Sequence, residues 1–147
     1  MAKAKILVLC TANSCRSQMA EGLIRKRYAD RVHVFSAGAA PADRVHPGAV
    51  AALAERGIDI SAHVPKSTDT FLGQNFDFVI TTCDSARDVC PVFPGRAQRL
   101  HWGLQDPASA AGAQHEIDAV FRATAQALEQ HIETLDEAIA AINKAGS

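Results

Sequence analysis

The chain has 147 residues, 48% of them apolar and 21% charged, and 15 basic against 16 acidic side chains leave a net charge of -1. That balance is ordinary globular material, enough for one domain spanning 1–147, and it excludes disorder. No run approaches the roughly 18 apolar residues of a membrane span. Ile6 to Cys10 is too short for a secretory signal, and the scattered basic residues make no stripe for nucleic acid. The four cysteines permit two disulfides, whereas in a cytosolic setting they point to chemistry or metal, so their placement decides.

Lys5 to Cys10 is a short apolar run suited to a buried parallel strand. A polar stretch follows, Thr11 to Arg16. Met19, Ala20, Leu23, Ile24 and Tyr28 then recur at helical spacing, with Ser17 expected to open the helix. Val32 to Phe35 reads as a second strand ended by Ser36-Ala37-Gly38. Pro47 starts a helix that Gly57 stops, and Thr68 to Gly73 is weakly helical. Phe76 to Thr81 and Ala97 to Trp102 complete four strands. The last element is the most periodic, with Ile117, Val120, Phe121, Thr124, Leu128, Ile132, Leu135, Ile139 and Ile142 on one face. Alternating strands and helices predict a three-layer α/β sandwich with a four-stranded, mostly parallel sheet. Right-handed crossovers put every strand's C-terminal end on one rim, where ligands of such sheets bind.

The loop after the first strand lies on that rim. Thr11, Ala12, Asn13, Ser14 and Cys15 are small enough for the backbone to curl with its N–H groups inward, a nest for an oxyanion. The helix behind it adds unpaired N–H groups and a positive dipole end, and Arg16 adds a planar fork that grips two oxygens. The same features stabilise a thiolate at Cys10. Ser17 is placed to donate a hydrogen bond to that sulfur, and Asn13 to hold the loop's shape. Cys15, facing the helix interior, reads as a packed thiol.

Cys10 to Arg16 followed by Ser17 resembles the Cys-x5-Arg-Ser signature of the low-molecular-weight protein tyrosine phosphatases. The fuller run, Cys10 to Gly22, is more similar to the arsenate reductases built on that phosphatase fold, the class usually coupled to thioredoxin. The resemblance continues through Ser36-Ala37-Gly38, His46-Pro47, Ile60-Ser61, His63, Cys83, Cys90-Pro91 and His101-Trp102-Gly103 to Asp106-Pro107, so it covers nearly the whole chain.

The resemblance implies a three-cysteine relay. Cys10 attacks arsenate, Cys83 attacks the Cys10 sulfur, arsenite departs with two electrons, and Cys90 resolves the disulfide for an external dithiol such as thioredoxin to reduce. It also implies that Asp106 donates the proton to the departing oxygen; an aspartate before proline is otherwise only a turn former. Arsenate is the expected partner, phosphate and sulfate its competing anions. No cofactor is implied, and a cytoplasmic monomer is expected. The residues themselves leave two other readings of Cys83 and Cys90 open: zinc ligands with His101 or His63, and inert core thiols. A phosphatase hydrolysing aryl phosphates through Cys10 is the alternative activity, although Ala39 to Arg44 lacks a large aromatic to grip a tyrosyl ring.

In some of the resembling reductases, residues matching Asn13, Glu21 and Ser36 join an aspartate to hold potassium. Here the segment after His63 reads Val64-Pro65-Lys66-Ser67, with no carboxylate, and no metal is assigned. His46 and His63 read as structural histidines; His101 and Trp102 read as packing or loop-holding residues.

Overall fold

The computed structural model describes residues 3–84 and 91–145. Four strands, β1 (Ala4–Cys10), β2 (Val32–Gly38), β3 (Phe78–Thr81) and β4 (Gln98–His101), form one sheet in the order β2-β1-β3-β4, all parallel. Each is about the expected run. β2 extends through Ser36-Ala37-Gly38 because it pairs with β1 along its whole length, Ala4 with Val32 through Cys10 with Gly38.

The alternation of side chains along β1 divides the core. Ile6 and Val8 point to a large apolar cluster beneath the helices, whereas Leu7 and Leu9 point to the opposite face. That second face is covered by Phe71, Phe76 and Phe93, with Phe35 tilted against Phe71 at 5.4 Å between ring centroids. A 3-10 turn, Thr68–Phe71, stands where weak helicity was expected.

The helical layer contains α1 (Arg16–Tyr28), α2 (Pro47–Ala54), α3 (Gln114–Glu133) and α4 (Asp136–Ala145). α1 and α2 approach closely at Gly22, where a Cβ would sit 2.9 Å from both Ile60 and Leu53 side chains. The N-cap of α1 is Cys15, not Ser17, and it caps with no side-chain bond. Ser17 lies one position inside the helix because its hydroxyl is engaged by the loop instead. The C-terminal stripe is not one helix. It breaks after Glu133, and α4 restarts with Asp136, whose carboxylate accepts from Arg27 and from the Tyr28 hydroxyl. Leu135 and Ile139 remain buried across the break, so the apolar pattern survives it. Val120, expected on the same face, is instead exposed.

β1 is the strand at which the order reverses, with β2 on one side and β3 on the other. In open parallel sheets the crevice beyond such a switch point is where ligands bind. The loop after β1 and residues 82–84 after β3 both lie at it.

Candidate active site

The loop of residues 11–15 is held by its carbonyls. Cys10, Thr11, Ala12 and Ser14 carbonyls accept from the backbone N–H groups of Ala39 (3.4 Å), Ala40 (2.8 Å), Ala42 (2.9 Å) and His46 (2.9 Å). With the carbonyls drawn outward, the amides turn inward, which is the nest the small residues permit. Asn13 supplies the required left-handed residue, with φ 51°, a conformation asparagine tolerates better than most. The clamp demands close backbone approach at Gly38, where a Cβ would lie 2.5 Å from the Thr11 carbonyl oxygen and 2.9 Å from the Asn13 nitrogen.

Cys10 sits at the floor of the loop and is buried. The Asn13 N–H donates to its sulfur at 3.1 Å, and Ser17 Oγ lies 2.7 Å from the same atom. The N-terminus of α1 opens beside it, adding the positive end of a helix dipole. An anionic sulfur is thus met by two donors and a favourable field. Cys15 is the opposite case. It is buried, and burial pushes its thiol up to about 12, so it stays protonated. This is the packed thiol the sequence suggested.

Arg16 is buried and reaches across the rim. Its NH1 donates to the Leu104 carbonyl at 2.9 Å and to the Thr82 carbonyl at 3.5 Å, and its NH2 lies 4.0 Å from Asp106 Oδ2. Asp106 is partly exposed at 38%, and its Oδ1 accepts from Ala108 N–H at 3.0 Å, capping the turn Pro107–Ser109. The aspartate is therefore both a turn former and a carboxyl group at the mouth of the loop.

Cys83 is fully buried and follows β3 on the same rim. Register puts Thr81 beside Leu9, and Thr82 N–H donates to the Leu9 carbonyl at 2.9 Å, so Cys83 emerges next to the start of the Cys10 loop. Cys90 lies outside the described residues. His101 packs its Nδ1 2.6 Å from Thr81 Oγ1, and Trp102 stacks on His131 at 5.2 Å. His46 caps α2 through Gly48 N–H and stacks on Phe121.

Beneath the loop lies a buried polar network. Asn13 Nδ2 donates to Ser17 Oγ (2.7 Å) and Ser36 Oγ (3.0 Å), Ser36 donates to Glu21 Oε1 (2.7 Å), and Arg25 pairs with Glu21 Oε2 (3.0 Å). Gln18 joins Asn13, Val64 and His63. Asn13, Glu21 and Ser36 do come together, but they do not fit a potassium ion. Asn13 turns its NH2 toward Ser36, Ser36 turns its proton toward Glu21, and the guanidinium of Arg25 takes the remaining carboxylate oxygen. A hard cation needs oxygens facing inward, and here donors face inward. Among the described residues no group of three or more His, Cys, Asp or Glu is placed to hold a metal. Gln18 and Arg25 were missed as site residues. For Gln18 the signal is a polar side chain within the first nine residues of α1, all of which are buried. Arg25 lies just beyond them and is exposed, and its signal is the i,i+4 spacing to Glu21.

The chain thus carries a cysteine at the head of a clamped, small-residue loop at the switch point of a parallel sheet. The family model described as low molecular weight phosphotyrosine protein phosphatase matches residues 5–145. Within that fold the chain belongs to the arsenate reductase family. It is 47% identical over 137 residues to the arsenate reductase of Halalkalibacterium halodurans, covering 93% of this chain and 98% of the relative. The solved structure of an arsenate reductase in an oxidized state superposes with a TM-score of 0.77 at 31% identity, covering 92% and 98% of the two chains. A thioredoxin-dependent arsenate reductase of Corynebacterium glutamicum is similar at 30% identity and a TM-score of 0.62, covering 91% of this chain and 63% of that one. Among the described residues no helix is long and apolar enough to cross a membrane.

Proposed function

We propose that this enzyme reduces arsenate to arsenite by passing two electrons from Cys10 and Cys83, with Cys90 as the resolving thiol. The observation that carries the reading is the placement of a second buried cysteine, Cys83, one strand over from the Cys10 anion nest on the same rim. A phosphatase needs one nucleophilic cysteine. A reductase needs a second to take the first one's sulfur.

Arsenate enters the nest as a tetrahedral oxyanion, held by inward amides, the α1 terminus and Arg16. Cys10 thiolate forms a bond to arsenic, and one oxygen leaves as water after taking a proton from Asp106. Arsenic is still pentavalent in this adduct. Cys83 thiolate then attacks the Cys10 sulfur. The sulfur–arsenic bond breaks, its electron pair stays on arsenic, and arsenite leaves while a Cys10–Cys83 disulfide forms. Cys90 attacks Cys83, frees Cys10 as thiolate and leaves a Cys83–Cys90 disulfide. An external dithiol of the thioredoxin kind reduces that bond and closes the cycle. The similarity to a thioredoxin-dependent relative supports this choice of reductant. Phosphate and sulfate fill the same nest and compete. The working unit is a monomer in the cytoplasm.

The test is turnover by single-cysteine variants. Cys83→Ser should bind phosphate as the parent does yet yield no arsenite beyond background under thioredoxin recycling. Normal turnover by that variant overturns the relay. The family's phosphatase description favours one second reading, hydrolysis of aryl phosphates through Cys10. Fast hydrolysis that survives replacement of both Cys83 and Cys90, without arsenite formation, selects it.

A further inference from the structure

Gln18 is wholly buried in the first turn of α1, and no step of the reaction uses it. Its surroundings fix which way every hydrogen bond beneath the nucleophile points. Backbone groups cannot exchange donor for acceptor, so they set the direction. The Val64 carbonyl lies 3.2 Å from Gln18 Nε2 and must accept from it. Gln18 Oε1 therefore faces His63 Nδ1 at 2.9 Å, and that ring nitrogen carries the proton. Gln18 Nε2 also donates to Asn13 Oδ1 at 3.0 Å, where the Lys66 backbone N–H donates at 2.9 Å. Two donors on one oxygen hold the Asn13 amide in one orientation. Its NH2 group consequently faces Ser17 Oγ, which accepts and is left with one proton to place. Cys10 Sγ, 2.7 Å away, takes it.

We infer that Gln18 is a positioning residue for the nucleophile: by reading the Val64 carbonyl and presenting its NH2 to Asn13, it joins the Lys66 backbone N–H in holding the Asn13 amide, and so the direction in which Ser17 donates to the Cys10 sulfur. The inference deepens the proposed function, since it rests on Cys10 being the nucleophile. The far end of the chain is kept from reversing. His63 faces Glu21 and Arg25 of α1 and has Lys66 and Asp59 nearby, and burial, the largest influence, holds its imidazole below the usual histidine range. Its contact with Gln18 Oε1 places a proton on Nδ1.

The substitution that reverses the polarity at constant size is Gln18→Glu, because a carboxylate offers no donor to Asn13 Oδ1 or to the Val64 carbonyl. The carboxylate repels Asn13 Oδ1 and attracts the Asn13 NH2, leaving the single Lys66 N–H bond to hold the amide. The amide then turns over, and the Ser17 proton is drawn to Asn13 instead of the sulfur. The readout is the rate of Cys10 alkylation by iodoacetamide against pH in the reduced protein, followed by peptide mass spectrometry. Losing one hydrogen bond to an ionised group should move the midpoint upward by about one pH unit and slow alkylation about tenfold on its acid side. In a Ser17→Ala background the same substitution should move nothing further, because the route to the sulfur is gone. Gln18→Met, neutral and without a donor, should give a smaller shift of the same sign, again only when Ser17 is present. If Gln18→Glu fails to fold, the Gln18→Met profile decides alone. An unmoved midpoint in a folded variant overturns the inference. So does a shift that survives Ser17→Ala, which would be the field of a new charge and not a relay. The assay contains no arsenic, so failure of the cysteine relay, read as missing arsenite, would leave its result unchanged.

Discussion

Arg16 donates to the Leu104 carbonyl at 2.9 Å, which ties the anion nest to the loop carrying Asp106. One guanidinium thus serves two purposes: it brings positive charge to the nest, and it sets the distance to the carboxyl group at the mouth. Lysine keeps the charge but not the fork. Arg16→Lys should weaken phosphate binding about tenfold to a hundredfold, as expected for one or two lost bonds to a charged group. Calorimetric titration with phosphate measures it. Parent-like affinity in the variant would show that charge alone suffices.

Asp106→Asn separates proton donation from turn formation. Asparagine caps a turn as well as aspartate does, so the Pro107–Ser109 turn and anion affinity should be kept. The single-turnover yield of arsenite should slow by about 10²- to 10⁴-fold, the usual reach of a positioned acid. An unchanged rate in rapid-quench experiments would remove Asp106 from the reaction.

Gly38→Ala tests whether the nest is preformed by its clamp. The added methyl would meet the Thr11 carbonyl oxygen at 2.5 Å, and both partners are backbone, so neither gives way cheaply. Overpacking of this kind costs about 1–3 kcal/mol. The urea midpoint should fall, and phosphate binding should weaken more than the stability loss alone explains, because the displaced residues are those lining the nest. A destabilised variant with parent phosphate affinity would show that the nest forms without the clamp.

The fold and its rim were legible because periodicity and punctuation are local. The run at Ile6–Cys10, Pro47 at a helix start and the α3 stripe each announce themselves within a dozen residues. The shared rim of Cys10, Arg16, Cys83 and Asp106 was legible because each lies on a strand end or on the loop that leaves one, and parallel topology sends all such ends to one edge. The break before Asp136 was not visible, because Leu135 and Ile139 continue the apolar period straight through it. Ser17 looked like a cap because serine before an apolar helix usually is one; its partner, the Cys10 sulfur, is seven residues back across a curled loop. Gln18 and Arg25 were hidden for a related reason. Partners of Gln18 at 13, 63 and 64, and of Arg25 at 34 and 63, become neighbours only once the loop, β2 and the connection to β3 have packed against α1.

The α3–α4 break makes a prediction about acid. Hydrogen bonds from Arg27 first, and from Tyr28 next, hold Asp136 well below the usual carboxylate range. A carboxyl group depressed in the folded state adds stability above its unfolded value, about pH 4, and loses it as pH falls toward the folded one. Asp136→Asn should therefore lower the urea midpoint at pH 7, and the gap to the parent should narrow by pH 3. A gap of equal size at both pH values would mean that the ion pair contributes nothing through its charge.

The central claim is that two thiols of one chain supply both electrons. Fully reduced protein mixed with one equivalent of arsenate, without any external reductant, should release close to one equivalent of arsenite. Peptide mapping after acid quench should then find a bond joining Cys83 to Cys90 and Cys10 returned to the thiol. Arsenate recovered unreduced, with all four cysteines still free, would contradict the account and leave only an anion-binding loop.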